Sequence, residues 1–168
     1  MTQFFFYVIY VESFSKIEAR AGSTIDRLQF TFGFVKADSH GAESGNPRPD
    51  CVILEGDVIN QIRLSWSEFR HADGHPYIQR LEFSTRESTV CDFCGSSACN
   101  IYPFTDIISH PGYHLSYLSG YDDWYPLKSG NGQVKVVNFL RFHWKRDNTL
   151  KGRKMSIGVC LIEITHTN

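Results

Sequence analysis

The residues best placed to do chemistry are Gly22, Ser23, Thr24, Ile25 and Asp26, a turn entering a strand. Glycine tolerates φ > 0 and lets a ligand approach backbone N–H groups closely. A carboxylate shortly after it can accept hydrogen bonds from two vicinal hydroxyls, which is the chemistry of holding a neutral polyol. Taken alone, the spacing also suits a plain β-turn with a solvated aspartate. A second group is Gly120, Tyr121, Asp122, Asp123, Trp124 and Tyr125. Aromatic faces stack on the apolar face of a pyranose while carboxylates take its hydroxyls. The plainer alternative is a turn whose aromatics fold back onto the core. Neighbouring carboxylates on a strand point to opposite sides, so Asp122 and Asp123 do not read as the acid pair of a glycosidase.

Cys91, Cys94 and Cys99, with His110 and His114 downstream, could place three thiolates and an imidazole around zinc. No second CxxC or regular histidine spacing completes such a motif, so no metal site or cofactor is assigned, and a disulfide among the three cysteines is the competing reading. Cys51 and Cys160 sit in apolar runs and read either as buried thiols or as partners in bridges of an oxidised, secreted chain. Five cysteines leave at least one over. The seven histidines are scattered and read as exposed loop residues. HExxH, GxSxG and P-loop patterns are absent.

These groups must be positioned by strands. Leu28, Phe30 and Phe32 alternate with polar residues, as do Ile62, Leu64 and Trp66, then Leu81 and Phe83, then Leu140, Phe142 and Trp144. A period of two buries one face of a strand and wets the other. The one helical stretch, residues 66–72, is too short to trust. Four segments share a pattern of apolar, small polar, any, apolar, long polar, apolar: residues 25–30, 59–64, 78–83 and 137–142. The phase slips once inside each, as a β-bulge requires. Residues 38–49 form the longest turn-rich loop, and residues 72–76 and 128–132 read as hairpin turns.

The chain of 168 residues is 42% hydrophobic, 21% charged and rich in aromatics, which predicts one all-β domain over residues 1–168 with a real core. A net charge of -1 supplies no field for nucleic acid, and no apolar run is long enough to span a bilayer. The apolar residues 4–10 read as a strand of the mature chain rather than a signal peptide.

Residues 14–30 resemble a unit of the jacalin-related lectins, in which an I-x-x-x-x-G-x-x-(I/V)-D-x-(I/L)-x-(V/F) run forms a hairpin whose turn binds sugar. Gly41, Ala42, Glu43, Ser44, Gly45, Asn46 and Pro47 are similar to that family's glycine-rich loop. Residues 51–60 and 77–86 resemble two further strand motifs in the same order. The resemblance implies a β-prism of three four-stranded Greek-key sheets around a pseudo-three-fold axis. It implies a non-catalytic carbohydrate-binding protein in which Gly22, Ser23, Thr24 and Asp26 meet Gly41, Ser44 and Gly45 around a glycan. A second sugar site would use Gly120, Tyr121, Asp122 and Trp124. The family's N-terminal glycine-rich loop has no counterpart in residues 4–10, and no clean GxxxD closes the chain: Asn138 and Ser156 stand near where aspartate is expected. The odd cysteine and the N-terminal strand point to a secreted homodimer. The alternative on the same scaffold is a matrix or interaction protein using acidic and aromatic loops, and a third reading, from another class, is a small glycan-active enzyme.

Overall fold

The computed structural model describes residues 2–6, 13–70, 76–95, 99–126, 133–147 and 160–162. The strands are β1 (Thr2–Phe6), β2 (Phe14–Ala21), β3 (Ile25–Phe32), β4 (Val35–Lys36), β5 (His40–Gly41), β6 (Asn46–Pro47), β7 (Cys51–Val52), β8 (Ile59–Arg70), β9 (Pro76–Thr85), β10 (Val90–Cys94), β11 (Asp106–Ser109), β12 (Tyr113–Pro126), β13 (Gln133–Arg146) and β14 (Cys160–Ile162). One 3₁₀ turn, Cys99–Ile101, is the sole helical element among the described residues. The stretch with some helical character, up to Arg70, continues strand β8 instead. Its alternating Ile62, Leu64 and Trp66 already favoured that outcome.

Three antiparallel hairpins organise three sheets, as the prism requires. The hairpin β2–β3 is flanked by broken edges, with β4 and β5 along β3 and β6 and β7 along β2. The second sheet runs β10-β9-β8-β11, a Greek-key order in which the fourth strand returns beside the first. The third runs β1-β12-β13-β14. The inward residues of all three form one core cluster, including Leu28, Phe30, Phe32, Ile62, Leu64, Leu81, Phe83, Leu140, Phe142 and Trp144. The alternation in the sequence therefore identifies the buried faces correctly. Of the two expected hairpin turns, residues 72–75 and 128–132 lie outside the described residues, and Pro76 opens β9.

The slip in the repeated pattern is physical. Ala21 pairs with Ile25 and Arg20 with Arg27, so Asp26 is the extra residue on β3. By the same reading of register, Asn60 is extra on β8, Gln79 on β9 and Asn138 on β13. Each is the small or amide polar second position of its repeat. A bulged residue is released from the ladder, and its side chain can be re-aimed without disturbing the buried alternation on either side.

Candidate functional site

The bulge at Asp26 is where the sheet gives up regularity, and the surrounding backbone is shaped to it. Asp26 follows a tight turn in which the Gly22 N–H donates to the Thr24 carbonyl at 3.1 Å. The Thr24 hydroxyl donates to Asp26 Oδ1 at 3.1 Å. A Cβ on Gly22 would stand 3.0 Å from Asp26 Oδ2, and one on Gly45 would stand 2.1 Å from the same oxygen. A Cβ on Gly41 would fall 1.9 Å from the Asp26 carbonyl oxygen. Gly41 and Gly45 also have φ of 98° and 71°, so a side chain is excluded there by backbone conformation as well as by space. Three glycines thus form a cradle that only bare backbone can make.

The loop carrying Gly41 and Gly45 is pinned by arginines. β5 pairs with β3 and β6 with β2, which clamps both ends of residues 42–45. Arg20 donates from Nε to the Ser44 carbonyl at 3.2 Å and from Nη2 to the Gly45 carbonyl at 2.9 Å. Arg48 donates to the Ala21 carbonyl at 3.1 Å. Glu43, largely exposed, meets Arg27 at 2.6 Å. The site is therefore preformed, which lowers the entropic cost of receiving a ligand.

Asp26 is 6% exposed. Burial pushes its carboxyl above the ordinary 3.8, against the opposing pull of the Thr24 hydroxyl, the Gly22 N–H and the charges of Arg20 and Arg48. A partly desolvated carboxylate is a strong acceptor for any hydroxyl that reaches it, because little water competes.

No protein-family model and no curated protein matches the chain in sequence. Solved structures do match in shape. A prostate-specific glycoprotein lectin is 13% identical with a TM-score of 0.60, covering 86% of this chain and 91% of its own. A mannose-binding jacalin-related lectin from Ananas comosus is 11% identical with a TM-score of 0.58, covering 83% and 87%. A galactose-binding lectin from Champedak, solved with Gal(β)1,3-GalNAc, is 8% identical with a TM-score of 0.57, covering 86% and 98%. The chain has the fold of the jacalin-related lectins. At these identities the likeness is one of architecture.

Within this lectin fold the residues expected at the first site do converge, with distinct parts. Gly22 and Gly45 stand together against the Asp26 carboxylate, Gly41 lies against the Asp26 backbone carbonyl, and Thr24 steadies the carboxylate. Ser23 is exposed at the turn tip. Ser44 contributes its carbonyl to Arg20, while its buried hydroxyl has no hydrogen bond among the described residues.

The second expected group is placed differently. Residues 120–124 are not a turn: they lie inside the continuous strand β12. Gly120 is buried and pairs with Phe4 and Leu140. Asp122 is 2% exposed, and its Oδ2 accepts the Gly41 N–H at 3.4 Å. Asp122 therefore leans on the loop of the first site. Tyr121 and Trp124 share the strand, but their side chains lie outside the described residues.

Sequence reasoning missed a third wall. Gly95, just past β10, packs so closely on the turn that a Cβ there would fall 2.5 Å from the Ser23 carbonyl carbon and 2.6 Å from the Gly22 oxygen. Gly95 opens the small ring closed by the Cys94–Cys99 disulfide. The other bridge joins Cys51 to Cys91 across the first and second sheets. Cys51 is thus not a free buried thiol, and the three cysteines considered for zinc are all in disulfides. Among the described residues no group of three or more His, Cys, Asp and Glu is arranged to hold a metal. The histidines also depart from the loop reading: His143 is buried on β13, bonded to the Ser119 hydroxyl at 2.9 Å and stacked on Tyr117 at 3.9 Å.

Proposed function

We propose that this chain is a carbohydrate-binding protein that holds saccharide hydroxyls at the Asp26 cradle and performs no catalysis on them. The observation that carries this reading is one desolvated carboxylate faced by glycines from two separate segments, Gly22 on the turn and Gly45 on the pinned loop, with Gly41 of the same loop seated against the backbone carbonyl of Asp26. Such an arrangement keeps side chains clear of an acceptor and presents backbone around it, which suits a flat, hydroxyl-rich ligand. Ser23 at the rim adds a hydroxyl that can donate or accept. Gly120 and Asp122 belong to the support of this cradle through Gly41, with Tyr121 and Trp124 on the same strand as candidates to extend it. That the matched structures include lectins described as binding mannose and galactose supports the ligand class.

Two disulfides support an oxidising, secreted setting. Four of the five cysteines are used by those bridges, and Cys160 lies on β14, the edge strand of the third sheet. An intermolecular bridge or edge pairing through this strand or β1 would make the homodimer.

The test is an immobilised glycan array carrying mannose- and galactose-terminated glycans, probed with the unmodified chain and with Asp26→Asn. Retention of the unmodified chain on at least one glycan class, lost on substitution, is expected. An array that retains neither protein contradicts the reading and favours the interaction-protein alternative on the same scaffold.

A further inference from the structure

A cleft of about 580 Å³ opens between the second and third sheets, lined by Gln61, Ser84, Arg86, Ser109, Tyr113 and Asp147 among others. Its volume is in the range of small-molecule sites. It lies at the other end of the molecule from the Asp26 cradle. Gly95, beside Cys94 and its partner Arg80, touches the Ser23 turn, and Asp122 reaches Gly41, so the cradle sits where the hairpins β8–β9 and β12–β13 approach their turns. The cleft sits where those hairpins open, at Ile59 paired with Thr85 and Tyr113 paired with Arg146. Asp122 lies nine positions along β12 from Tyr113. At about 3.3 Å per residue the two places are roughly 30 Å apart.

The lining selects a ligand class. The charges cancel internally: Asp147 accepts from the Arg86 guanidinium and bonds His114 Nδ1 at 2.6 Å. No surplus charge remains among these groups to draw in an anion or a cation. What is left is amide and hydroxyl groups from Asn60, Gln61, Ser84 and Ser109, the His110 imidazole, whose buried Nε2 has no hydrogen bond among the described residues, and apolar surface from Tyr113, Val90 and Pro111. Amides and hydroxyls both donate and accept, and an aromatic face takes apolar C–H groups. One wall is also held in an unfavourable shape. Ser88 has φ of 72°, costly for a residue with a Cβ, and the turn around it is fixed by the Thr89 N–H donating to Thr85 Oγ1 at 2.9 Å. Strain of this kind concentrates where a binding surface is held in place.

We infer that this cleft is a second binding site for a neutral saccharide, at the pole opposite the Asp26 cradle. Together with the cradle proposed above, one chain would carry two glycan sites facing apart and bridge two glycans without a second copy. Bridging of that kind raises avidity without strengthening either site. The inference stands on the cleft and does not require the Asp26 site to bind sugar.

The test is amide chemical-shift mapping on isotopically labelled protein titrated separately with mannose, galactose and N-acetylglucosamine. Saturable shifts at residues 84–88 and 109–113 are expected with at least one sugar, and they should persist in Asp26→Asn. Gln61→Ala should weaken that cleft affinity by roughly three- to tenfold, the loss of one hydrogen bond. If Gln61→Ala fails to fold, Ser109→Tyr, which fills the cleft from a strand end, should abolish the shifts. No saturable shift at those amides with any of the three sugars overturns the inference, as does their disappearance in Asp26→Asn. Shifts or silence at residues 22–26 bear only on the cradle.

Discussion

At the scale of single residues, Asp26 carries the most consequence: in the proposed reading its environment serves binding at the expense of stability. Its carboxyl is raised above 3.8 chiefly by burial. The folded chain therefore takes up the proton at higher pH than the unfolded chain does. The burial penalty is present in full at neutral pH and is relieved as pH falls through the raised value toward 3.8. Asp26→Asn, which keeps an acceptor for the Thr24 hydroxyl, should leave the melting temperature at pH 7 unchanged or higher, with the gain shrinking on acidification. A melting temperature that falls on substitution at pH 7 and recovers at low pH would reverse the sign and refute this reading of Asp26. Glycan binding needs the ionised form, so it should decline on acidification at a higher pH than an ordinary carboxylate would allow. His143 works in the other direction. Burial, then Arg141, holds it below its ordinary 6.5. The unfolded chain protonates first as pH falls, so stability is lost below about pH 6.5. Melting curves from pH 7 to 5 should fall less steeply in His143→Gln than in the unmodified chain. Asp26 was legible in the sequence because turn and carboxylate are local. His143 was not, since strand alternation places it on the polar face and only the folded arrangement shows what buries it.

At the scale of elements, the bulges show how much a period-two pattern can disclose. Asp26, Asn60, Gln79 and Asn138 occupy the same place in four similar segments, and register shifts fall at all four. The slip of phase was readable because an unpaired residue must break alternation. The third wall at Gly95 was not readable: it depends on contact between the end of β10 and the tip of the β2–β3 hairpin, which are far apart in sequence. That wall is tied down by the Cys94–Cys99 bridge. In the loop-entropy view, so short a ring stabilises by about 2 kcal/mol and the Cys51–Cys91 bridge, with its separation of 40 residues, by about 4 kcal/mol. Cys51→Ala/Cys91→Ala should thus lower unfolding free energy more than Cys94→Ser/Cys99→Ser in denaturant titrations. Equal losses would show that the bridges act through something other than the length of chain they close. Gly95→Ala should weaken glycan binding as well as stability, because its Cβ has backbone atoms of the turn in its way on the side facing Ser23.

At the scale of the whole molecule, three hairpins converge on one core drawn from all three sheets. An all-β domain was legible because aromatic and aliphatic residues alternate so consistently, and the three-sheet prism because four motifs, in order and spacing, resemble those of the jacalin-related lectins. The pairing of cysteines and the approach of Asp122 to Gly41 are properties of how sheets meet, and sequence spacing does not encode them. Assembly belongs to this scale too. Sedimentation of the oxidised chain should give a species of twice 19.3 kDa, and Cys160→Ser or a reductant should shift it toward monomer if the link is covalent. A single 19.3 kDa species at working concentration would end the homodimer proposal.

The most direct measurement for the central claim is calorimetric titration of the sugar that the array identifies into the unmodified chain and into Asp26→Asn, with melting temperatures recorded on the same samples. Replacing a charged acceptor should cost roughly 1.5–3 kcal/mol, about tenfold to a hundredfold in affinity, with the fold intact. Equal affinity in the two proteins would contradict the assignment of saccharide binding to the Asp26 cradle.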